Sequence, residues 1–576
     1  MNSKKNSAEK SQYKSLRLWP GITLAIILLI LSYIIPIIIP GALIVSIFGG
    51  LIIGLGIIIW WSFFSRAPRI ERWLAIILII ASLIITSFFN HVSIATGGQG
   101  TMYFIFGIPL LCLVFVAWAI ITKSFSNKVR RITMILTIIL ASGWWILVRT
   151  DGITGDFVPD LRLRWSETSE EQLLTSEIDT LVNLADIEVS RKSEAEWPGF
   201  RGPKRDGIIK GIKINSDWKS NPPKELWRRP IGPGCSSFAV NGDLIYTQEQ
   251  RGEVELVVCY YLKTGEPIWK HEDKARFWDS HAGAGPRSTP TLNKGRIYTL
   301  GATGILNALD ARDGTLLWSR NAVSDSDVVH SGWGYTSSPL VVDDIVIVAA
   351  VGKLVAYDIE TGKLRWMGPD GGDSYSSPHL LTIDGIQQVV LMSGKGVTSI
   401  LPSVGEVLWE YKWQIGSRIV QPAMTSDGEI LISYGEGKGL RRIVVKHNSG
   451  DWSIENRWTS NQLKPNFNDF VIHEDHAYGF NGPILACIEI NEGQRKWRGR
   501  RYGGQLILLA DQDLIIILSE QGELALVEAN PEKFKELARL EAIEGKTWNH
   551  PVLVGGILLV RNGQEMVAYQ VSSITS

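Results

Sequence analysis

The sequence predicts two unlike parts: an N-terminal α-helical transmembrane bundle of about five helices and a C-terminal all-β propeller with eight blades. Three observations support this prediction. Uncharged apolar runs of membrane-spanning length fill the first quarter of the chain. A Gly-turn and Trp pattern then recurs at the spacing of four-stranded blades. A strand-like segment with no blade of its own precedes the first repeat.

The apolar runs predict the membrane part, residues 1–149. They are Trp19 to Ile39, Gly41 to Phe64, Trp73 to Phe89, Met102 to Ile121 and Ile132 to Val148. A helix satisfies its own backbone hydrogen bonds, so such runs are stable in lipid. They contain no ionisable side chain, which favours a plain anchor over a transport path.

Loop charge predicts the orientation of the bundle. Basic residues lie before the first run and in every second loop: Lys4, Lys5, Lys10, Lys14, Arg17, Arg66, Arg69, Arg72, Lys123, Lys128, Arg130 and Arg131. The turn near Pro40 and the loop Asn90 to Thr101 contain neither Lys nor Arg. Positive loops stay cytoplasmic. We therefore expect a multi-pass protein of a bacterial inner (plasma) membrane, with a cytoplasmic N-terminus and a periplasmic or otherwise extracytoplasmic propeller.

Overall composition excludes other classes. The 58 Lys and Arg residues balance 58 Asp and Glu residues, so the charge gives no reason to expect a nucleic-acid partner. Four scattered cysteines are too few for a disulfide framework or a zinc site.

Residues 150–196 are predicted to be an extracytoplasmic linker with a short helix between Glu167 and Leu184. Ser166 or Thr168 would cap that helix. The turn-rich segment Trp197 to Gly207 follows, and we expect it to pack as a lead-in against the propeller, residues 197–576.

The repeats themselves predict the blades. Clear copies end at Trp269, Trp318 and Trp366, weaker ones at Trp409, Trp458 and Trp497, and a seventh ends without Trp near Phe534 to Leu540. Gly in the turn supplies a positive φ, and the Trp ring is expected to pack between neighbouring blades. After the eighth opening only three strands remain. Lys224 to Arg229 would supply the fourth and close the ring.

These repeats resemble the pyrroloquinoline-quinone-like propeller repeat family, whose repeat reads roughly apolar-Ala-apolar-Asp-x-x-Thr-Gly-x-x-x-Trp. The resemblance covers about residues 197 to 571 and is nearest to the BamB-like propellers. It implies a binding or scaffold module of the envelope without catalysis or cofactor. Its partners would be the bilayer and another envelope protein or peptide.

The family also contains quinoprotein dehydrogenases, including a membrane-bound glucose dehydrogenase with five N-terminal spans. This implies the alternative, a dehydrogenase that uses pyrroloquinoline quinone with calcium and passes electrons to the membrane quinone pool. Its base would be Asp469, His281 or His550. The nearest cluster of calcium-type ligands is Asn466, Asn468 and Asp469. The propeller is shorter than in those enzymes, and no vicinal Cys pair is present.

Candidate binding residues come from the repeat register. The strand openings place Ser237, Thr289, Ser338, Ser377, Gln421, Asp469 and His550 around one mouth of the central channel. The preceding loops add His281, Arg287, Trp333, Tyr335, Asp373, Tyr375, Arg418 and Trp548. Such a set could bind a small ligand, a peptide or a metal ion, or the ring could hold only water.

Overall fold

The computed structural model describes residues 16–38, 42–155, 157–176, 181–182, 190–328, 332–413, 418–433 and 438–571. The chain divides into two compact units, Met1–Ser166 and Glu167–Ser576. The residues predicted as a linker are therefore shared between the two units. The predicted turn at Pro40 lies outside the described residues.

Within its described residues, the first unit has five helices long and apolar enough to cross a membrane, as predicted. They are Trp19–Ile38, Val45–Phe64, Arg69–Phe89, Met102–Ile121 and Asn127–Ile146. A short helix, Val92–Ala95, and a hairpin of strands Val148–Ile153 and Pro159–Leu163 complete the described part of this unit.

A buried ion pair joins the third and fifth helices. The third helix begins at Arg69, before the run predicted for it, and so includes Glu71, which is fully buried. Arg130 of the fifth helix donates to Glu71 Oε2 from Nε at 2.9 Å and from Nη2 at 2.5 Å. The expectation of spans without ionisable groups is wrong here. The carboxylate is tolerated because a guanidinium neutralises it.

The second unit begins with the helix Ser169–Thr175, which is shorter than predicted. Thr168 caps it, since its hydroxyl accepts from the backbone N–H of Glu171 while the Glu171 carboxylate accepts from the N–H of Thr168. Part of the predicted helix, residues 177–180 and 183–184, lies outside the described residues.

Eight antiparallel sheets form the blades, which confirms the predicted propeller. Each blade has strands A to D, from the channel outward. Blade 1 is Ala239–Asn241, Leu244–Arg251, Val254–Tyr261 and Pro267–Asp273; blade 2 is Thr291–Asn293, Arg296–Leu300, Ile305–Asp310 and Leu316–Asn321; blade 3 is Leu340–Val342, Ile345–Ala350, Lys353–Asp358 and Leu364–Met367; blade 4 is His379–Ile383, Ile386–Met392, Gly396–Leu401 and Glu406–Lys412.

The remaining blades follow the same order. Blade 5 is Ala423–Met424, Ile430–Ser433, Leu440–Asn448 and Asp451–Ser460; blade 6 is Val471–His473, His476–Asn481, Ile484–Glu489 and Arg495–Arg501; blade 7 is Gln505–Leu509, Leu514–Leu518, Glu523–Glu528 and Glu536–Glu541; blade 8 is Val552–Val554, Ile557–Arg561, Glu565–Gln570 and Lys224–Pro230. A two-stranded ribbon, Trp278–Asp279 with Gly283–Ala284, and a short helix, Ala322–Ser326, lie in the loops between blades.

The ring closes as predicted. Strand D of blade 8 comes from Lys224–Pro230 and pairs antiparallel with Glu565–Gln570, with Arg229 opposite Met566. Closure pairs the two ends of the propeller and removes a free sheet edge between them.

Tryptophans connect successive blades, which confirms their predicted packing. Each of six indole N–H groups donates to a backbone carbonyl of the next blade: Trp227 to Leu262, Trp269 to Ala311, Trp318 to Ile359, Trp366 to Pro402, Trp458 to Ile490 and Trp497 to Asn530. The ring of Trp269 covers Gly314 so closely that an added Cβ would lie 2.5 Å from it. Trp409 differs, since it donates to Gln388 of its own blade.

Candidate functional site at the mouth of the propeller

One face of the propeller carries the candidate residues. The loops that join strand D of one blade to strand A of the next lie there, together with the loops between strands B and C. We call this the upper face. The turns that carry the repeat glycines lie on the opposite face. Every residue that the strand openings predicted as a candidate belongs to the upper face.

The predicted ring residues come together, and they hydrogen-bond to one another. Ser237 donates from Oγ to the carbonyl of His550 at 2.7 Å and from its backbone N–H to Thr289 Oγ1 at 3.0 Å. The N–H of Thr289 donates to Ser338 Oγ, and that of Ser338 to Ser377 Oγ. At Thr289, Ser338 and Ser377 the side chain thus accepts from the backbone of the preceding opening, whereas the Ser237 side chain donates.

The ring continues with larger side chains. The backbone N–H of Gln421 donates to Asp469 Oδ1 at 2.8 Å. Asn468 donates to the carbonyls of Gly503 and Gly504 at 3.0 and 2.6 Å. Most of these side chains are buried, so the ring joins the blades at the rim of the channel.

A segment of the chain itself occupies the channel. The lead-in, Trp197 to Ile209, contacts A strands and strand openings around the ring, and we call it the plug loop. Trp197 exchanges backbone hydrogen bonds with Val240 of blade 1, and Ile208–Ile209 pair in parallel with Leu508–Leu509 of blade 7. Both contacts lie near the far ends of the A strands, so the tip of the plug loop points toward the upper face.

Two arginines form the tip of the plug loop. Arg205 donates to the carbonyls of Ser338 and Pro339 at 2.9 and 2.8 Å, and Arg201 donates to the carbonyl of Phe470 at 2.8 Å. These bonds join the tip to blades 3 and 6. The sequence analysis predicted that this segment packs on the propeller but not that it enters the channel.

Asp469 is the carboxylate at this tip. Its Oδ1 lies 3.6 Å from Arg201 Nη1, and its Oδ2 lies 3.5 Å from His550 Nε2. Burial alone would raise the pKa of Asp469, but the charge of Arg201 and the contact with His550 outweigh it and hold that pKa below its ordinary value. Burial, followed by the nearby guanidinium charges, lowers the pKa of His379 to about 3.

Above the ring, aromatic and cationic side chains form an arc. The rings of Trp333 and Tyr375 lie 4.7 Å apart, and those of His281 and Trp333 lie 5.8 Å apart. The backbone N–H of Tyr375 donates to the carbonyl of Arg418, whose guanidinium lies 4.5 Å from the Trp413 ring. These contacts connect the loops that follow blades 1 to 4.

The arc continues in the opposite direction from His281. Lys546 donates from Nζ to the carbonyl of His281, and its ammonium lies 4.3 Å from the Trp548 ring. Trp548 lies 5.2 Å from Phe467 and donates from Nε1 to Glu520 at 2.7 Å. We call this set the aromatic arc: His281, Trp333, Tyr375, Trp413, Arg418, Phe467, Lys546 and Trp548. It includes residues from six of the eight loops that lead from strand D to the next strand A.

The other predicted loop residues differ in their surroundings. Arg287 is buried against Asp279 at 2.6 Å and lies over the Phe277 ring. Tyr335 is buried, whereas Asp373 is exposed. The sequence analysis did not name Lys546, Trp413 or Phe467. Their nearness to predicted strand openings was the available signal.

The three residues considered for calcium do not fit that ion. Asn466 is exposed, and the Asn468 amide donates to carbonyls of blade 7. The Asp469 carboxylate is already neutralised by Arg201. Calcium needs six to eight converging oxygens, and the tip of the plug loop presents arginine nitrogens there. Elsewhere in the described chain, His473, Glu474 and Asp513 lie close together near the opposite face, mostly exposed.

Comparison with known proteins identifies the family. A family model described as outer membrane protein assembly factor BamB matches residues 218–378 and 332–534, more than half of the chain. The chain belongs to the BamB family. The match lies entirely within the second unit, so the BamB-family part is the propeller.

Individual relatives cover smaller parts of this BamB-family chain. BamB of Shewanella oneidensis is 28% identical over 25% of this chain and 36% of its own length, and BamB of Yersinia pestis is 22% identical over 53% and 70%. The quinohemoprotein alcohol dehydrogenase ADH-IIG of Pseudomonas putida is 26% identical over 42% of this chain and 32% of its own length. The chain thus spans about a third of the length of Shewanella oneidensis BamB and of the alcohol dehydrogenase.

Proposed function

We propose that this chain is a membrane-anchored scaffold that binds another envelope protein through the aromatic arc and catalyses no reaction. The arc supports this proposal. Protein interfaces obtain most of their binding energy from a few Trp, Tyr and Arg side chains held rigidly near the centre of a patch. Ring and cation contacts hold the side chains of the arc in place, and His281, Trp333, Phe467, Lys546 and Trp548 remain partly exposed.

We place the proposed binding site on the upper face of the propeller and not inside its central channel. The plug loop fills the channel from the far ends of the A strands, with the Arg201 guanidinium beside the Asp469 carboxylate and Arg205 bound to the carbonyl of Pro339. A partner would therefore rest on the upper face, as loops on a rigid scaffold allow. The helices would hold the propeller at a bacterial inner membrane, with the N-terminus in the cytoplasm and the propeller outside.

Crosslinking in living cells tests the scaffold proposal. A photoreactive phenylalanine analogue replaces Trp333 in the arc or, as a control, Trp452 on strand D of blade 5, which is also half-buried. We expect discrete protein adducts from position 333 and none from position 452. Equal adduct patterns at both positions, or none at 333, would contradict a partner on the arc.

The quinoprotein alternative draws on the Pseudomonas putida relative. It is tested by adding pyrroloquinoline quinone and calcium to the purified full chain and following dye reduction with alcohols and sugars. We expect no reduction. Calcium-dependent reduction would replace the scaffold proposal with a quinoprotein dehydrogenase.

A tag at the C-terminus tests the orientation. Protease added to spheroplasts should remove the tag while the cytoplasmic membrane is intact. Protection of the tag until the membrane is lysed would place the propeller in the cytoplasm.

A further inference from the structure

Four buried nitrogen atoms around the tip of the plug loop have no well-formed hydrogen bond among the described residues. They are Arg201 Nε, Arg205 Nε, His379 Nδ1 and His550 Nε2, and His550 Nε2 has only its 3.5 Å contact with Asp469 Oδ2. The side chains of Arg201, Arg205 and His379 are buried, with 4%, 7% and 5% of their surface exposed. Native proteins rarely leave buried polar atoms without partners, so a group of four requires an explanation.

These four side chains lie close enough for the arginine charges to affect the other groups. The charge of Arg201 acts on Arg205, both arginines act on His379, and Arg201 also acts on His550. The ring of Phe200 in the plug loop packs against both the His550 ring, at 5.2 Å, and the Arg205 guanidinium, at 5.6 Å. The tip is therefore a compact cluster on the channel axis.

The cluster carries more positive than negative charge. The cluster contains two buried guanidinium groups, and Asp469, which pairs with Arg201, is its one buried carboxylate among the described residues. Both histidines have pKa values below the ordinary one because they are buried. Burial, together with the Arg201 charge, lowers the pKa of Arg205 to about 9. An uncompensated charge in a protein interior is strongly unfavourable. With two guanidinium groups and one buried carboxylate, the tip needs about one further negative charge to be neutral.

Another buried arginine of the propeller, Arg561, has a hydrogen-bond partner for every nitrogen of its guanidinium group. Arg561 is fully buried, yet Nε donates to the carbonyl of Asn562, Nη1 to Gln248 and Nη2 to Gly232. The Glu249 carboxylate also acts on it. Arg201 and Arg205 donate to carbonyls from their terminal nitrogens, but the Nε of each has no hydrogen bond within the described part of the chain.

We propose that a small monovalent anion of the halide class binds on the propeller axis, among Arg201, Arg205, His379 and His550. One negative charge balances the excess guanidinium. A neutral His379 supplies a donor when its proton is on Nδ1, and a halide accepts from N–H groups in several directions at once. The anion joins the plug loop to blades 4 and 8, which the direct arginine bonds do not reach. This inference is independent of the partner proposed for the arc.

Thermal unfolding of the detergent-solubilised full chain tests the site. We compare sodium chloride, sodium bromide and sodium gluconate at equal ionic strength. We expect the halides to raise the midpoint by about 2–4 °C in a saturable manner. In Arg205→Met the midpoint should not depend on the anion, whereas the exposed-site control Arg365→Met should retain the dependence.

Crystals of the wild-type full chain grown in bromide provide the second measurement, which does not depend on how well a variant folds. We expect an anomalous bromine peak on the axis within hydrogen-bonding distance of Arg205. Equal midpoints in all three salts, or water density on the axis without an anomalous peak, would overturn the proposal.

Discussion

The ammonium group of Lys546 lies 4.3 Å from the centre of the Trp548 ring. The same ammonium donates to the carbonyl of His281, so one side chain joins the loop after blade 7 to the loop after blade 1. Burial lowers the pKa of Lys546. The cation is thus held at the centre of the aromatic arc, between its two halves.

Lys546→Met should weaken partner binding more than it weakens the fold. Methionine keeps an apolar stem but removes the charge, which contributes about 0.5–2 kcal/mol through the ring contact. We expect the yield of adducts from position 333 to fall several-fold, while the loss of the ring contact lowers the unfolding midpoint by only about 1–4 °C. Lys363→Met, on the exposed surface of blade 3, is the control. An unchanged adduct yield would remove Lys546 from the interface.

Gly314→Ala should destabilise the propeller more than Gly295→Ala in the same blade. Both glycines have positive φ, +75° and +79°, so each substitution costs about 1 kcal/mol of backbone strain. Only at Gly314 would the new Cβ lie 2.5 Å from the Trp269 ring. Urea unfolding measures the difference. Equal losses would show that the ring moves aside without cost.

Glu255→Gln should stabilise the protein at neutral and higher pH. Glu255 is buried in blade 1, and burial is the main reason that its pKa is raised to about 7. A carboxyl whose pKa is higher in the folded state binds its proton more tightly there, so its ionisation lowers stability as pH rises from about 4.5 to 7. We expect a gain of about 2–3 kcal/mol at pH 8.

The gain in Glu255→Gln should disappear below about pH 4.5, where the wild-type carboxyl is protonated in both states. Urea unfolding at several pH values measures it. Glu492→Gln, at an exposed position, is the control and should show no such gain. A gain that does not vary with pH would indicate a packing effect instead.

Glu71→Gln should destabilise the helical unit. The substitution leaves the Arg130 guanidinium buried without its counter-charge, which typically costs about 3–5 kcal/mol. Heating in detergent, with the remaining folded fraction measured, gives the loss. Arg131 lies farther from Glu71, at 3.5 Å, and is partly exposed, so Arg131→Gln should have a smaller effect. The opposite order would mean that Arg131 carries the main interaction.

The sequence predicted the blades because their signals are local. In most copies a turn glycine and a Trp four residues later lie in one hairpin, and the next copy follows at blade spacing. The closing strand was also predictable, since the count of strands after His550 was one short. The positions of the ring residues followed from the same register.

The contacts of those residues were not predictable. Arg205 contacts the carbonyl of Ser338, and Arg201 that of Phe470, across 133 and 269 residues of sequence. No local pattern specifies such partners. The hydrogen bonds accepted by the hydroxyls of Thr289, Ser338 and Ser377 were also unpredictable, because each donor is a backbone N–H of a neighbouring blade. Glu71 was overlooked for a different reason: it lies just outside the apolar run and next to basic residues.

Closure of the ring by Lys224–Pro230 has a consequence for biosynthesis. This strand is made before any complete blade, yet its pairing partner, Glu565–Gln570, is made only after the other seven blades. Until that partner is made, the edge of Lys224–Pro230 has no strand to pair with. The closing step joins segments about 340 residues apart in sequence, and contacts between such distant segments form slowly. A chain that stalls before Glu565 would leave the Lys224–Pro230 strand unpaired and able to aggregate.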